Sequence, residues 1–195
     1  MDVMEAIRGR RSIRKFKPAP VSPKDLYTVL EAARLAPSWA NTQVWRFVVV
    51  TEQDLKNLLA QTFRSRDPTR ENRGAVAVRT APLTIVACAE KKKSGYLSTG
   101  APLTARGEWS MYDVGIAMQN LVLAACSLGL GTVHIGLFDH QRAEQVLGVP
   151  EDIEVIAMTP LGYPDEVIEA RPRKALREIV FYEQYGRQPP VDVPL

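Results

Sequence analysis

The chain has 195 residues, 46% of them apolar, which is enough for one sizeable hydrophobic core, so we expect a single domain over residues 1–195. Its 25 basic and 22 acidic residues nearly balance, and five of the basic ones crowd into residues 8–16. The remainder lacks the broad basic face of a nucleic-acid binder, so this cluster indicates a single anionic ligand. No apolar run reaches the roughly 20 residues of a bilayer span and no secretory leader is recognisable, so we expect no membrane association and a cytoplasmic protein.

The first third of the chain predicts three helices and a strand. Asp2 and Glu5 form a capping-box pattern, so the arginine cluster lies at the exit of a short first helix. A second helix opens with a Ser-Pro pair and keeps its three- and four-residue apolar spacing up to Pro37. Residues 45–51 are β-branched and apolar and predict a buried strand, and Thr51 is the expected cap of the next helix.

The middle of the chain is less regular. Residues 66–80 show no firm period and predict a loop or an irregular helix, before a strand over 81–89. Residues 90–108 contain three lysines, three glycines and a proline, a composition typical of a mobile surface loop and of lids. The following segment, 111–131, is apolar on nearly every face and predicts a central helix.

The glycines that end this helix do not form a dinucleotide-binding fingerprint. His134 stands at the third position of the G-x-G-x-x-G pattern, and the glycines precede a strand instead of opening a helix. Gly129 and Gly131 are instead predicted to stop the helix in the left-handed conformation. Gly136 lies at the far end of the next short strand, where a missing side chain allows a flat ligand to approach.

The last quarter predicts a small helix from Asp139 to Gly148, a buried strand over 153–162 and an apolar tail. The tail is too apolar to be free in solvent and needs a surface, which a second subunit can supply. Taken alone, the alternation of helices and strands favours a parallel α/β fold.

The cysteines and histidines give no sign of a metal site or a hydrolase. Cys88 and Cys126 stand in apolar surroundings without partners at metal-ligand spacing, which predicts buried thiols. His134 and His140 accompany no nucleophile signature.

Two basic groups and one polar loop are the candidate binding elements. Arginine binds phosphate through a planar, bidentate fork, so the cluster in 8–16 and the pair Arg171 and Arg173 could close on one phosphate. Solvated faces or ion pairs with nearby glutamates explain the same arginines individually. The loop 36–47 interleaves amides with indoles, which suits a planar heteroaromatic ligand but also an ordinary loop.

Four motifs in order make the chain resemble the FMN-dependent nitroreductases of about 200 residues. They are RRSIRKF, APSWANTQVWRF, DVGIAMQNLVLAACSLGLGTVHIG and LGYP followed by basic residues, and the resemblance runs from residue 3 to 186. It implies an α+β three-layer sandwich, with a mixed, largely antiparallel sheet flanked by helices. It also implies a homodimer with FMN at the subunit interface and a C-terminal segment extending over the partner.

The resemblance assigns cofactor-binding roles by position. Contacts to the FMN phosphate, the ribityl chain and the polar side of the flavin or nicotinamide fall on Arg10, Arg11, Ser12, Arg14, Arg171 and Arg173. The second loop, supplied by the neighbouring subunit, contributes Pro37, Ser38, Trp39 and Asn41. The strand beside the flavin ring contributes His134, Ile135, Gly136 and Leu137, the last two through backbone N–H groups toward N5.

The function implied is ping-pong hydride transfer from NADH or NADPH through flavin N5 to a nitroaromatic, quinone or similar small acceptor. No catalytic side chain and no metal is required. Two alternatives stay open: a flavoenzyme of the same fold that acts as a dehydrogenase or dehalogenase, and a non-redox module that binds phosphate or nucleic acid.

Overall fold

The computed structural model describes residues 1–65 and 69–190. Its six α-helices are α1 (Val3–Gly9), α2 (Pro23–Arg34), α3 (Gln53–Ala60), α4 (Arg73–Thr80), α5 (Ser110–Ser127) and α6 (His140–Leu147). Its four strands are β1 (Trp45–Val50), β2 (Leu83–Glu90), β3 (Gly131–Thr132) and β4 (Ile153–Gly162). Short 3-10 turns cover Trp39–Asn41 and Leu176–Glu178.

The strands form one sheet in the order β1-β2-β4-β3, and all three neighbouring pairs are antiparallel. The parallel α/β expectation from element alternation is therefore wrong, because alternation does not record at which end of the sheet each helix returns the chain. The largely antiparallel α+β arrangement implied by the resemblance is confirmed.

Both faces of the sheet are covered by helices, which confirms the three-layer architecture. Side chains of β2 alternate between the two faces, as pleating requires. Ile85 packs into a core with Val29 of α2 and Leu121 of α5. Its neighbour Val86 packs into the opposite core with Leu59 of α3.

Helix boundaries follow local signals where these are strong. The Asp2 side chain accepts from the Glu5 N–H at 2.8 Å, and the Glu5 carboxylate accepts from the Asp2 N–H at 2.7 Å. The Thr51 cap is wrong, since α3 starts one residue later with Glu52 at its N-cap. Within residues 66–80, α4 is a regular helix, while 66–68 lie outside the described residues.

The two glycines after α5 have different roles. Gly129 has φ +75° and stops the helix in the left-handed conformation as predicted. Gly131 does not have a left-handed backbone, so the prediction for it is wrong. Its role is steric, since a Cβ there would lie 2.9 Å from three Ile13 side-chain atoms. Cys88 is buried as expected, whereas Cys126 is only partly buried.

None of the helices within residues 1–65 and 69–190 is both long and apolar enough to cross a membrane.

Candidate functional site

The arginine segment, residues 10–14, is attached to the end of β3. The Ile13 N–H donates to the Thr132 carbonyl at 2.9 Å, and Ser12 and Thr132 form an isolated parallel bridge. Because Thr132 directly precedes the strand segment 134–137, this pairing brings two of the predicted binding elements side by side.

Electrostatics show the same proximity between Arg10 and His134. His134 keeps an exposed edge, yet desolvation by surrounding protein lowers its pKa, and the positive charge of Arg10 lowers it further. A neutral imidazole beside a cationic guanidinium leaves this corner positively charged, as an anion site requires.

Arg11 carries a donor that the protein itself does not use. Its Nη1 donates to the carbonyls of Arg8 at 2.6 Å and Arg10 at 2.9 Å, which holds the guanidinium against the end of α1. Its Nε is buried without a hydrogen-bond partner among the described residues. A buried unpaired donor is costly, so this atom favours an acceptor supplied by a ligand.

Arg14 lies where the N-terminal segment meets the chain that follows β4. The Glu166 carboxylate accepts from the backbone N–H of Arg14 at 2.6 Å and of Lys15 at 3.2 Å. Partial burial lowers the pKa of the Arg14 guanidinium, Arg73 and Arg171 lower it further, and Glu166 opposes them. Three arginines thus share one region.

The two arginines of the basic pair, Arg171 and Arg173, have different surroundings. The positive charge of Arg171 lowers the pKa of the Arg14 guanidinium, so these two side chains lie in one region. Within the described residues, the exposed Arg173 donates to the backbone carbonyls of Arg171 at 3.0 Å and Pro172 at 3.5 Å. Sequence reasoning missed Arg73, which is at the first position of α4, inside a segment without a firm period.

The segment 134–137 presents free backbone donors. Ile135 is fixed to β4 by two reciprocal 2.9 Å bonds with Met158. The next two N–H groups, of Gly136 and Leu137, donate to none of the described residues. A Cβ on Gly136 would have no atom within 4 Å, so these donors border open space.

The loop at 37–43 has a strained backbone. Ala40, Asn41 and Gln43 have φ of 44°, 55° and 49°. Residues with side chains seldom adopt this left-handed conformation, and those that do are often found at functional sites. The Ser38 hydroxyl accepts from the Gln43 N–H at 2.9 Å, which closes the loop, and Pro37 and Asn41 are exposed.

Asp113 holds this loop in place. Its carboxylate is buried and accepts from the Trp39 N–H at 3.0 Å and from the Ser94 hydroxyl at 2.7 Å. Asp113 lies in the first turn of α5, whose N-cap is Trp109. The same hydroxyl anchors the 90–108 loop, where Ser94 is fully buried.

The loop and the arginine segment lie at opposite ends of α5. Asp113 is in its first turn, while Cys126 near its last residue lies beside α1, 3.8 Å from where a Cβ on Gly9 would be. Thirteen residues at a 1.5 Å rise separate the two ends by about 20 Å. Within residues 1–65 and 69–190, no hydrogen bond or ion pair joins residues 37–43 to residues 10–14.

Known proteins resemble this chain over nearly its full length. The sequence model described as "Nitroreductase family" matches residues 7–163. The NADPH-flavin oxidoreductase of Vibrio harveyi is 31% identical over 188 residues, covering 94% of this chain and 75% of that protein. A nitroreductase family protein of Clostridium novyi superimposes with a TM-score of 0.74 at 31% identity, covering 96% of this chain and 97% of the other. The FMN-dependent nitroreductase of Clostridium difficile superimposes with a TM-score of 0.76 at 26% identity, covering 93% and 99%.

Other relatives carry different activities in their names. The 5,6-dimethylbenzimidazole synthase of Rhodospirillum rubrum is 31% identical over 180 residues, covering 85% of this chain and 83% of that protein. The iodotyrosine deiodinase of Thermotoga neapolitana is 28% identical over 194 residues, covering 91% and 96%.

Proposed function

Because the chain belongs to the nitroreductase family, we propose that it is an oxidoreductase that binds FMN and uses NADH or NADPH to reduce a small acceptor. Residues 1–195 act as one FMN-binding domain in this proposal. Bound FMN would supply the redox chemistry, hydride transfer through N5 from the nicotinamide to a nitroaromatic, a quinone or a similar small molecule.

The observation that carries the proposal is the contact between the arginine segment and the strand segment after β3. The Ile13 bond to Thr132 and the effect of the Arg10 charge on His134 bring positive charge to the start of this segment, whose Gly136 and Leu137 N–H groups donate to none of the described residues. A ligand that fits both needs an anionic group at one end and a hydrogen-bond acceptor on a flat, unhindered part. FMN, with a phosphate and a planar ring, has this combination.

The arginines hold the phosphate end. Arg10 supplies charge next to His134, Arg11 supplies a buried unpaired Nε, and Arg14 shares its region with Arg171. Ser12 sits between the first two arginines and Arg14 and is available to the ribityl chain. In our assignment the Arg173 guanidinium leaves the backbone carbonyls of Arg171 and Pro172 when it binds the phosphate.

The strand segment positions the ring end. Leu137 and Gly136 offer N–H groups to N5, and the open space at Gly136 leaves one face accessible. No Rossmann fingerprint is available to hold a nicotinamide elsewhere, so we assign both substrates in turn to this face. That makes the kinetic mechanism ping-pong, and no side chain of the protein transfers a proton or forms a bond in it.

A homodimer completes the site. Loop 37–43 lies about 20 Å from the arginine segment along α5, so Trp39 and its neighbours reach the flavin of a second protomer. A two-fold axis across α5 would place each end of the helix beside the opposite end of its partner. Exposed apolar side chains are available for this contact: Met111 and Tyr112 on α5, and Leu176, Ile179 and Tyr185 in the C-terminal segment, which in this proposal extends over the partner.

The acceptor class has a second candidate. Relatives named deiodinase and dimethylbenzimidazole synthase favour, as a second candidate, a flavoenzyme of the same fold with another substrate. We place the protein in the cytoplasm, where NADH and NADPH are available as diffusible substrates.

The test begins with the absorption spectrum of the purified protein. We expect flavin bands, and release of FMN, not riboflavin or FAD, on denaturation. Steady-state rates with NADH or NADPH and a quinone or nitroarene are expected to give parallel double-reciprocal lines. A colourless protein that binds DNA or RNA in a salt-sensitive manner would support the phosphate-binding alternative instead, and intersecting lines would refute the shared face.

A further inference from the structure

The imidazole of His140 lies between two backbone carbonyls. Its Nδ1 is 2.8 Å from the Val155 oxygen of β4, and its Nε2 is 3.2 Å from the Gly136 oxygen. A carbonyl oxygen only accepts hydrogen bonds, so each contact is a hydrogen bond only when its ring nitrogen carries a hydrogen; a neutral ring makes one of the two bonds at a time, and the imidazolium makes both. The ring also stacks on Phe138, with centroids 4.1 Å apart, which fixes its plane.

The Nε2 contact is important because the backbone is anchored on both sides of residues 136 and 137. Ile135 is bonded to Met158 by both backbone groups, and the Asp139 N–H donates to the Thr62 carbonyl at 2.8 Å. Between these two anchors, the described residues provide one hydrogen-bonding contact to the Gly136–Leu137 peptide, that of His140 Nε2 with the Gly136 oxygen, and it requires a hydrogen on Nε2.

That peptide is planar and trans, so its carbonyl and its N–H point in opposite directions. When His140 Nε2 holds the Gly136 oxygen, the Leu137 N–H is directed away from the imidazole. This N–H donates to none of the described residues, and Leu137 is exposed. Rotation of the peptide would redirect the donor, and glycine at 136 would offer little steric resistance.

We propose that His140 is a positioning residue: with a hydrogen on Nε2 it donates to the Gly136 carbonyl and so fixes the peptide that aims the Leu137 N–H at flavin N5. This role rests on the proposed function, since it assumes that FMN lies against residues 136 and 137. His140 itself touches neither substrate nor cofactor in this role.

Docking of α6 does not depend on this contact. The Val155 N–H donates to the Glu144 carboxylate at 3.0 Å, and Ala143 is fully buried against the sheet. Substitutions of His140 can therefore be compared in folded protein.

Two amide substitutions separate the two ring nitrogens. The amide nitrogen of glutamine reaches the position of Nε2, so His140→Gln keeps a donor for the Gly136 carbonyl. The amide nitrogen of asparagine reaches only the position of Nδ1, so His140→Asn keeps the Val155 contact and loses the other.

The measurements are the reduction midpoint potential of the bound flavin and the dissociation constant of oxidised FMN in wild type and both variants. Oxidised flavin can accept a hydrogen bond at N5, whereas reduced flavin carries a hydrogen there, so loss of the Leu137 donor weakens the oxidised complex selectively. We expect His140→Asn to bind oxidised FMN on the order of fivefold more weakly and to have a more positive midpoint potential. His140→Gln is expected to stay close to wild type in both.

A readout in flavin-free protein complements these values. The carbonyl carbon shift of Gly136, measured by NMR, is expected to change in His140→Asn and to be retained in His140→Gln. Equal potentials in all three flavin-loaded proteins, or equal changes in both variants, would overturn the positioning role while leaving FMN binding intact. A wild-type protein that fails to bind FMN would instead refute the proposed function, and the positioning role with it.

Discussion

Two glycine-to-alanine substitutions, five residues apart, separate the packing of the arginine segment from the binding of its ligand. At Gly131 a Cβ would lie 2.9 Å from the Cβ, Cγ1 and Cγ2 of Ile13, whereas at Gly136 it would meet no atom within 4 Å. Neither glycine has a left-handed backbone, so alanine adds the same methyl group without conformational strain at either position.

The cost at Gly131 follows from how firmly Ile13 is held. Ordinary contacts lie at 3.4–4 Å, so Ile13 must move by at least half an ångström. Its side chain is buried and β-branched, and its N–H is bonded to Thr132, so the backbone has to move with it. Overpacking of this kind costs about 1–3 kcal/mol of unfolding free energy, whereas Gly136→Ala is expected to change it by less than about 0.5 kcal/mol.

Urea denaturation of the flavin-free proteins, at one common protein concentration, measures both values. FMN titration then provides the complementary contrast, since Gly136→Ala places its methyl group where we position the flavin ring and is expected to weaken FMN by about tenfold, or roughly 1.4 kcal/mol. Equal stabilities of wild type and Gly131→Ala would refute the packing of Ile13, and unchanged FMN affinity in Gly136→Ala would refute the position of the ring.

Three further predictions test the charges and the assembly. Arg10→Ala removes a positive charge and is expected to raise the pKa of His134. Proton NMR can follow this titration because the chain has only two histidines. Arg8→Ala is the control and is expected to leave the pKa of His134 unchanged. Arg173 is exposed, so Arg173→Ala is expected to leave the fold intact. The FMN dissociation constant is expected to rise by about ten- to a hundredfold, which corresponds to the loss of one charge-assisted contact of roughly 1.5–3 kcal/mol. An unchanged dissociation constant would remove Arg173 from the phosphate site. Deleting residues 176–195 abolishes dimerisation and flavin binding together, as light scattering and absorption would show, and a yellow truncated monomer would disprove the shared pocket.

The parts of the fold that sequence predicts correctly are encoded within a few residues. The reciprocal bonds of Asp2 and Glu5, and the cap of α6 by Asp139, involve groups three positions apart. The long apolar run of β4 and the left-handed stop at Gly129 are likewise local. Strand direction is not, because it depends on where the chain crosses the sheet.

Most contacts that form the candidate site join residues far apart in the sequence, so few of them could be predicted from the sequence. The bond between Trp39 and Asp113 joins residues 74 positions apart, and the bond between Arg14 and Glu166 spans 152. Nothing in the sequence favours a left-handed backbone at Ala40. Residue chemistry singled out the arginines, the 36–47 loop and Gly136, and motif resemblance predicted their roles. The structure adds that the loop and the arginine segment lie at opposite ends of α5.

Anaerobic mixing of the purified yellow protein with NADH or NADPH, without any acceptor, tests the proposed oxidoreductase function most directly. Bleaching of the visible absorption band of oxidised flavin is expected with at least one nicotinamide, and the colour is expected to return when a quinone or nitroarene is added. Flavin that stays oxidised with both nicotinamides would contradict hydride transfer at this site.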